Sequence, residues 1–265
     1  MATTYLDKIL DHHRARASGD VREWRERVGA VRYHGPSLGA ALADRTSPYV
    51  KVIAEVKRRS PSKGWLREDL EAAGLAGLYV AGGASAVSVL TDAQYFAGSA
   101  EDLRVVAAST SVPVLRKDFT VSENDVLDAV SLGASAVLLI VAALSDEELV
   151  SFIQLADTCG MDAIVEVHDP DEAQRALNSG ARIVGVNQRN LRTFEIERQN
   201  AAAVIESLPT NVLGVCESGL TSVEDVEGVA TLGFDAVLVG ETFVVSENPT
   251  DAVRAFSSVL RERRG

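Results

Sequence analysis

Ile53-Ala54-Glu55-Val56-Lys57-Arg58-Arg59-Ser60-Pro61-Ser62-Lys63-Gly64 turns from apolar to charged within a few residues. The apolar run begins at Val50, broken only by Lys51, and takes on a carboxylate at Glu55 and an amine at Lys57. It then enters a basic loop rich in Ser, Pro and Gly. Positions 55 and 57 are two apart, so in a strand both side chains leave one face, about 6.6 Å apart along it. Either the pair faces a cavity that needs charge, or the segment is not a strand.

Downstream of this stretch a repeat favours the strand. Gly83-Ala84-Ser85-Ala86-Val87, Gly133-Ala134-Ser135-Ala136-Val137, Gly180-Ala181-Arg182-Ile183-Val184 and Gly233-Phe234-Asp235-Ala236-Val237 share one pattern. Each is a helix-ending glycine followed by a β-branched strand. The glycines are spaced by 50, 47 and 53 residues. Further strand candidates are Val112 to Leu115, Ala163 to Val167 and Val212 to Cys216, which with Val50 to Val56 makes eight. Helical segments fill the gaps. Ser99 to Asp102, Ser122 to Asp125, Ser145 to Glu148 and Thr221 to Glu224 read as capping boxes, and Asp169-Pro170 as an N-cap with proline at N1. Strands alternating with helices imply parallel pairing through right-handed crossovers. Eight such units predict an α/β protein, a closed (β/α)8 TIM barrel, rather than an open sheet.

The first forty-odd residues differ. Asp7 to Ala17, Val21 to Val31 and Leu38 to Ala43 read as helices, with a break at His34-Gly35-Pro36-Ser37. The reading is a single (β/α)8 barrel domain over 1–265, with 1–48 an N-terminal helical extension packed on it. His12 and His13 face different sides of a helix and are expected at the surface.

Composition narrows the function. A net charge of −12 argues against nonspecific nucleic-acid binding, and requires that an anionic ligand be held locally by lysines and backbone amides. The longest apolar run, Ala136 to Leu144, is far short of the ~20 residues that span a bilayer. Asp7, Lys8 and Asp11 interrupt any secretory core, and two cysteines with no metal spacing fit a reducing, cytoplasmic compartment.

In a barrel the active site lies at the C-terminal strand ends, and there the polar residues gather. Glu55 and Lys57 close strand 1, Arg116-Lys117-Asp118 strand 3, Glu166 and His168 strand 5. Asn187 and Arg189 close strand 6, Glu217-Ser218-Gly219 strand 7 and Gly240-Glu241-Thr242 strand 8. The lysines can serve as cations or general acids, and Glu55 and Glu166 as acid or base. The turns after strands 7 and 8 lie where such barrels hold phosphate on backbone N–H groups. Plainer roles are expected for several neighbours. Asp118 should be salt-bridged, His168 part of the turn before a helix, and Cys216 simply buried. Glu241 should pair with a strand-end cation, and Arg58 and Arg59 should be solvated.

The segments 53–64, Val114-Leu115-Arg116-Lys117-Asp118-Phe119, Val165-Glu166-Val167-His168, Gly185-Val186-Asn187-Gln188-Arg189-Asn190-Leu191, Glu217-Ser218-Gly219 and Val237 to Glu241 resemble the indole-3-glycerol-phosphate synthase family, as does Tyr95 to Ser99. The similarity runs from about residue 5 to residue 256. It implies a cofactor-free enzyme of tryptophan biosynthesis. The substrate would be 1-(2-carboxyphenylamino)-1-deoxyribulose 5-phosphate, closed to an indole with release of carbon dioxide and water. By resemblance, Lys117 is the general acid of ring closure, Glu166 its acid/base partner, and Glu55 the carboxylate of dehydration. Lys57 contacts a substrate anion and serves as a second acid. Ser60 holds the anthranilate carboxylate, and Asn187 orients Glu55 and the sugar hydroxyls. Ser218, Gly219 and Gly240, with Glu241 and Thr242, cradle the phosphate. Pro61, Phe119 and Leu191 are apolar walls, and Arg189 is a further polar contact. The resemblance implies a monomer free of metal, nucleic acid and membrane, with other pathway enzymes as possible partners. Gln188 departs from the second Asn of many members, and Trp65 has no assigned role.

Three rivals are weighed on chemistry. A phosphoribosyl-amine isomerase asks for an Asp/Asp or Cys/Asp pair at strands 1 and 5 or nearby, whereas those ends carry Glu55, Lys57 and Glu166. A Schiff-base aldolase would use Lys117. A barrel that only binds phosphorylated ligands would lack an acid–base member, and this sequence lacks none.

Overall fold

The structure is a computed structural model and describes residues 4–190, 196–262 and 264. Eight strands close a barrel: β1 Lys51–Val56, β2 Ala86–Leu90, β3 Val114–Lys117, β4 Ala136–Ile140, β5 Asp162–Val167, β6 Ile183–Asn187, β7 Leu213–Glu217 and β8 Ala236–Val239. Each pairs in parallel with the next, and β8 returns to β1 with Lys51 opposite Ala236. The glycines of the repeat sit at φ of 97°, 88°, 88° and 89° for Gly83, Gly133, Gly180 and Gly233. Each therefore ends a helix in the left-handed region that glycine enters without steric penalty.

The helices that shield the barrel are α4 Ala72–Ala81, α6 Ala100–Ser109, α7 Glu123–Ser131, α8 Asp146–Thr158, α9 Pro170–Asn178, α10 Arg198–Ser207, α11 Val223–Thr231 and α13 Pro249–Ser257. Short α5 Ala93–Phe96 and α12 Glu241–Val244 follow β2 and β8. Ser145 and Glu148 form the expected capping box, and Asp169 caps α9 ahead of Pro170. The box before α11 lies one residue later than expected, on Ser222 and Asp225, with Thr221 donating its own hydroxyl to Asp225.

Alternation divides the core in two. Outward residues such as Val52, Val87, Val137 and Val184 pack under the helices, and inward residues such as Ile53, Leu115, Ile164, Val215 and Leu238 fill the barrel. Fully buried Leu38 and Leu42 join the inner cluster from α3 (Leu38–Ala43), which closes the end where the strands begin. Asp162 at the start of β5 fixes that helix, accepting from Ser37 Oγ at 2.7 Å and Gly39 N at 3.0 Å.

At the opposite end α1 (Tyr5–Ser18) lies over the strand tips. His13 Nε2 meets Asp92 Oδ2 at 2.9 Å, Arg14 pairs with Glu148 at 2.5 Å, and Arg16 pairs with Asp125 at 2.7 Å. Two expectations change here. His13 is buried, whereas His12 is exposed as expected, because only one face of α1 lands on the barrel. The helix expected over Val21 to Val31 shrinks to α2, Trp24–Arg27. There the chain runs along α7, with Arg22 and Arg27 both reaching Asp128, so tertiary ion pairs displace a weak local preference.

Candidate active site

Period-two alternation delivers the charges. The inward apolar residues Ile53, Leu115, Ile164 and Val215 are each followed two positions later by Glu55, Lys117, Glu166 and Glu217. Ile183 and Leu238 are followed instead by Gly185 and Gly240, and both glycines make room. A Cβ on Gly185 would collide with Glu217 Oε1; one on Gly240 would stand 2.5 Å from Glu55 Oε1 and 3.0 Å from Lys57 Nζ. This layer floors a cavity of about 780 Å³ at the C-terminal mouth.

The ionisable groups meet in two contact sets within the cavity. Lys57 Nζ lies 2.7 Å from Glu55 Oε1, and Lys117 Nζ lies 3.0 Å from Glu166 Oε2 and 3.5 Å from Glu217 Oε2. Asn187 Nδ2 donates to Glu166 Oε1 at 3.1 Å. Burial alone would depress the Lys117 ammonium, but Glu166, Glu217 and Glu55 outweigh it and hold its pKa above the ordinary value. Burial likewise opposes ionisation of Glu166, yet Lys117, His168 and Asn187 keep its pKa low. Glu217 goes the other way. Burial, aided by the negative charge of Glu166 and Glu55, prevails over Lys117 and pushes its pKa up to about 8. At neutral pH the site thus holds a charged lysine between an ionised glutamate and a protonated one.

The far wall is built from backbone. Ser218 and Gly219 are consecutive left-handed residues at φ of 66° and 72°, an unusual state for serine. Gln188 helps to hold it, donating from Nε2 to the Ser218 carbonyl at 3.1 Å. Gly240 adjoins this turn, and the Thr242 hydroxyl donates to Leu220 O at 2.8 Å, bracing it from the other side. Such turns present N–H groups to an anion.

The cavity is lined by every expected site residue that the structure describes: Glu55, Lys57, Ser60, Pro61, Lys117, Phe119, Glu166, Asn187, Arg189, Ser218, Gly219, Gly240, Glu241 and Thr242. Leu191 lies outside the described residues. Several contacts differ from expectation. Asn187 on β6 bonds Glu166 on neighbouring β5, not Glu55, which stands across the barrel on β1. Glu241 meets Lys63 of the loop after β1 at 3.7 Å rather than a strand-end cation. Arg58 and Arg59 are not solvated: Arg58 pairs with Asp102 and donates to Leu70 O at 2.9 Å, and Arg59 donates to Gln94 O and Tyr95 O. Arg59 also stacks on exposed Trp65, 5.6 Å from the ring centroid. Trp65 therefore braces the loop from outside and does not line the cavity. Asp118 is salt-bridged to Arg116 at 3.0 Å, and Cys216 is fully buried with its thiol pKa pushed up by burial, both as expected.

Two contributions escape the sequence reading. Glu217 was legible as a strand-end acid but not as a buried, protonated one, because that state comes from Glu55 and Glu166 on other strands. Tyr5, Leu6 and Ile9 of α1 form an apolar roof over the cavity. Their helical spacing shows a packing face without revealing what it covers. His13, Asp92 and Asp118 bring possible metal ligands within 4.8 Å of one another. Their oxygens are already committed: Asp92 accepts from the Tyr95 and Phe96 amides, and Asp118 from Thr91, Arg116 and the Phe119 amide. The trio fastens α1.

Comparison with known proteins gives the family. The family model for indole-3-glycerol phosphate synthase matches residues 6–256. The indole-3-glycerol phosphate synthase of Micrococcus luteus is 52% identical over 232 residues, covering 87% of each chain. That of a Parafrankia species is 46% identical over 251 residues, covering 94% of this chain and 93% of its own. Among solved structures, 3-hexulose-6-phosphate synthase from Salmonella typhimurium superposes with a TM-score of 0.66 at 15% identity, over 80% of this chain and 98% of that one. At that identity the likeness concerns the barrel alone. The whole-length family match and the two curated relatives place this chain in the indole-3-glycerol phosphate synthase family.

Proposed function

We propose that this cavity performs the family's reaction as a carboxy-lyase, closing the indole ring of 1-(2-carboxyphenylamino)-1-deoxyribulose 5-phosphate to give indole-3-glycerol phosphate. The observation that carries the reading is the layer of Glu55, Lys57, Lys117, Glu166 and Glu217 facing a backbone anion cradle across one cavity. The Ser218-Gly219 turn and Gly240 hold the phosphate. Phe119 and Pro61, under the Tyr5, Leu6 and Ile9 roof, flank the aromatic ring and strip water from its carboxylate. Ser60 meets that carboxylate.

In the first step the ring carbon bearing the carboxylate bonds to the substrate's ketone carbon, and Lys117 gives a proton to the ketone oxygen. Carbon dioxide then leaves, and its bonding electrons restore the ring. In the last step the new hydroxyl leaves as water with a proton from Lys57, while Glu55 takes the proton that completes the indole double bond. Glu166, fixed by Asn187, keeps Lys117 charged for the first transfer and, as its acid/base partner, relays one proton from solvent back to the neutral amine after turnover, so that Lys117 ends as it began. A positioned proton donor contributes about 10²–10⁴-fold. We read the chain as a monomer of the cytosol, with its N-terminal helices an integral part of the barrel unit.

Mixing purified protein with the carboxyphenylamino-deoxyribulose phosphate should produce new indole fluorescence. Folded protein that leaves verified, intact substrate dark would sink the reading.

A further inference from the structure

His168 follows β5 two positions after Glu166, and the reaction steps above do not use it. Two contacts hold it from the α9 side. Glu172 Oε2 accepts the His168 backbone N–H at 2.8 Å and meets ring Nδ1 at 3.0 Å. With Nδ1 committed to that carboxylate, Nε2 is the free end of the ring, buried and without a hydrogen-bond partner. It points into the catalytic layer, 3.9 Å from Glu166 Oε1. That is the same oxygen held by Asn187, while Lys117 holds the other.

We propose that His168 is a positioning residue for Glu166: oriented by Glu172, its ring presents Nε2 to the Glu166 carboxylate and fixes that group's place and charge beside Lys117. At 3.9 Å the contact is an ion-pair distance rather than a hydrogen bond, and such contacts commonly tighten when substrate binds. A bare Nε2 facing a carboxylate would set two acceptors against each other; a protonated one makes the contact attractive. The charges facing the ring favour the proton. Burial works against the cation, but Glu172 on α9, bonded to the ring, and ionised Glu166 on β5 together raise the imidazole pKa. Lys117 holds the other oxygen of that carboxylate, Glu166 Oε2, at 3.0 Å. The carboxylate is thereby bracketed by Lys117, Asn187 and His168 on three sides. This inference rests on the acid–base reading of Glu166.

The test separates the two. Imidazole NMR, with His168 assigned from the His168→Gln spectrum, reads the coupling without turnover. In Glu166→Gln the His168 midpoint should fall by about one pH unit, the scale expected for losing a nearby charge. An unmoved midpoint overturns the proposal. In turnover, His168→Gln should shift the acid limb of the kcat profile up by about one unit and lower kcat about tenfold on that limb, with KM unchanged. Glu172→Gln should give a smaller shift in the same direction and serves if His168→Gln does not fold. Acid limbs that superimpose on the parent profile overturn the proposal. Full activity of Glu166→Gln would overturn the acid–base reading, and with it the catalytic consequence drawn here, whatever the NMR midpoint shows.

Discussion

At the residue scale the site works by setting like groups in unlike surroundings. Glu166 and Glu217 both touch Lys117, at 3.0 and 3.5 Å, yet one is held ionised and the other protonated. Asn187 and His168 make the difference, since both face Glu166. Lys117→Ala and Glu166→Gln should each lower kcat by about 10²–10⁴-fold while the melting temperature barely moves. Glu217 carries a separate signature in stability. Its folded-state pKa of about 8 lies above the ordinary 4.5, so the folded protein binds this proton more tightly than the unfolded chain. The stabilisation is complete below about 4.5 and is lost as pH rises toward about 8. Glu217→Gln, always neutral, should match the parent melting temperature near pH 5 and exceed it above pH 8. Parallel melting curves across that range would contradict the assignment.

At the element scale, the parts that precede the barrel finish it at both ends. α3 plugs the mouth where the strands start, with Leu38 and Leu42 fully buried among inward-facing strand residues. α1 roofs the other mouth. The two should respond differently to mutation. Leu42→Ala should cost about 2–5 kcal/mol in urea unfolding, the usual range for a buried leucine, and leave KM unchanged because the plug is remote from the cavity. Ile9→Ser should raise KM severalfold as well as lower stability, since Ile9 is buried and lines the cavity from the helix. The sequence showed that three helical pieces precede β1, the middle one heavily charged. It did not show that they divide between opposite ends of the barrel, because an apolar stripe demands a partner without naming one.

At the scale of the whole molecule, a chain of net charge −12 is read as taking an anionic substrate. The unfavourable long-range field is screened by salt, whereas Lys57, Lys117 and the backbone cradle act at contact distance inside the cavity. Raising sodium chloride from about 10 to about 150 mM, which shortens the screening length from about 30 to about 8 Å, should therefore increase kcat/KM rather than depress it. A steep fall would mean that exposed cations, not the cradle, dominate capture.

The sequence by itself determined the barrel and the level at which its chemistry sits. Period-two alternation and the spaced glycines are local, steric properties, so strand number, parallel pairing and the inward aim of Glu55, Lys117 and Glu166 could all be read along the chain. Only the tertiary structure decided how those residues act on one another. Asn187 serves Glu166 rather than Glu55, Glu217 keeps its proton, His13 is buried and His168 turns toward the catalytic layer. Each of these depends on which charges and how little water surround a group across several strands, and the electrostatic energy of a buried side chain follows distances in space, not positions in the chain.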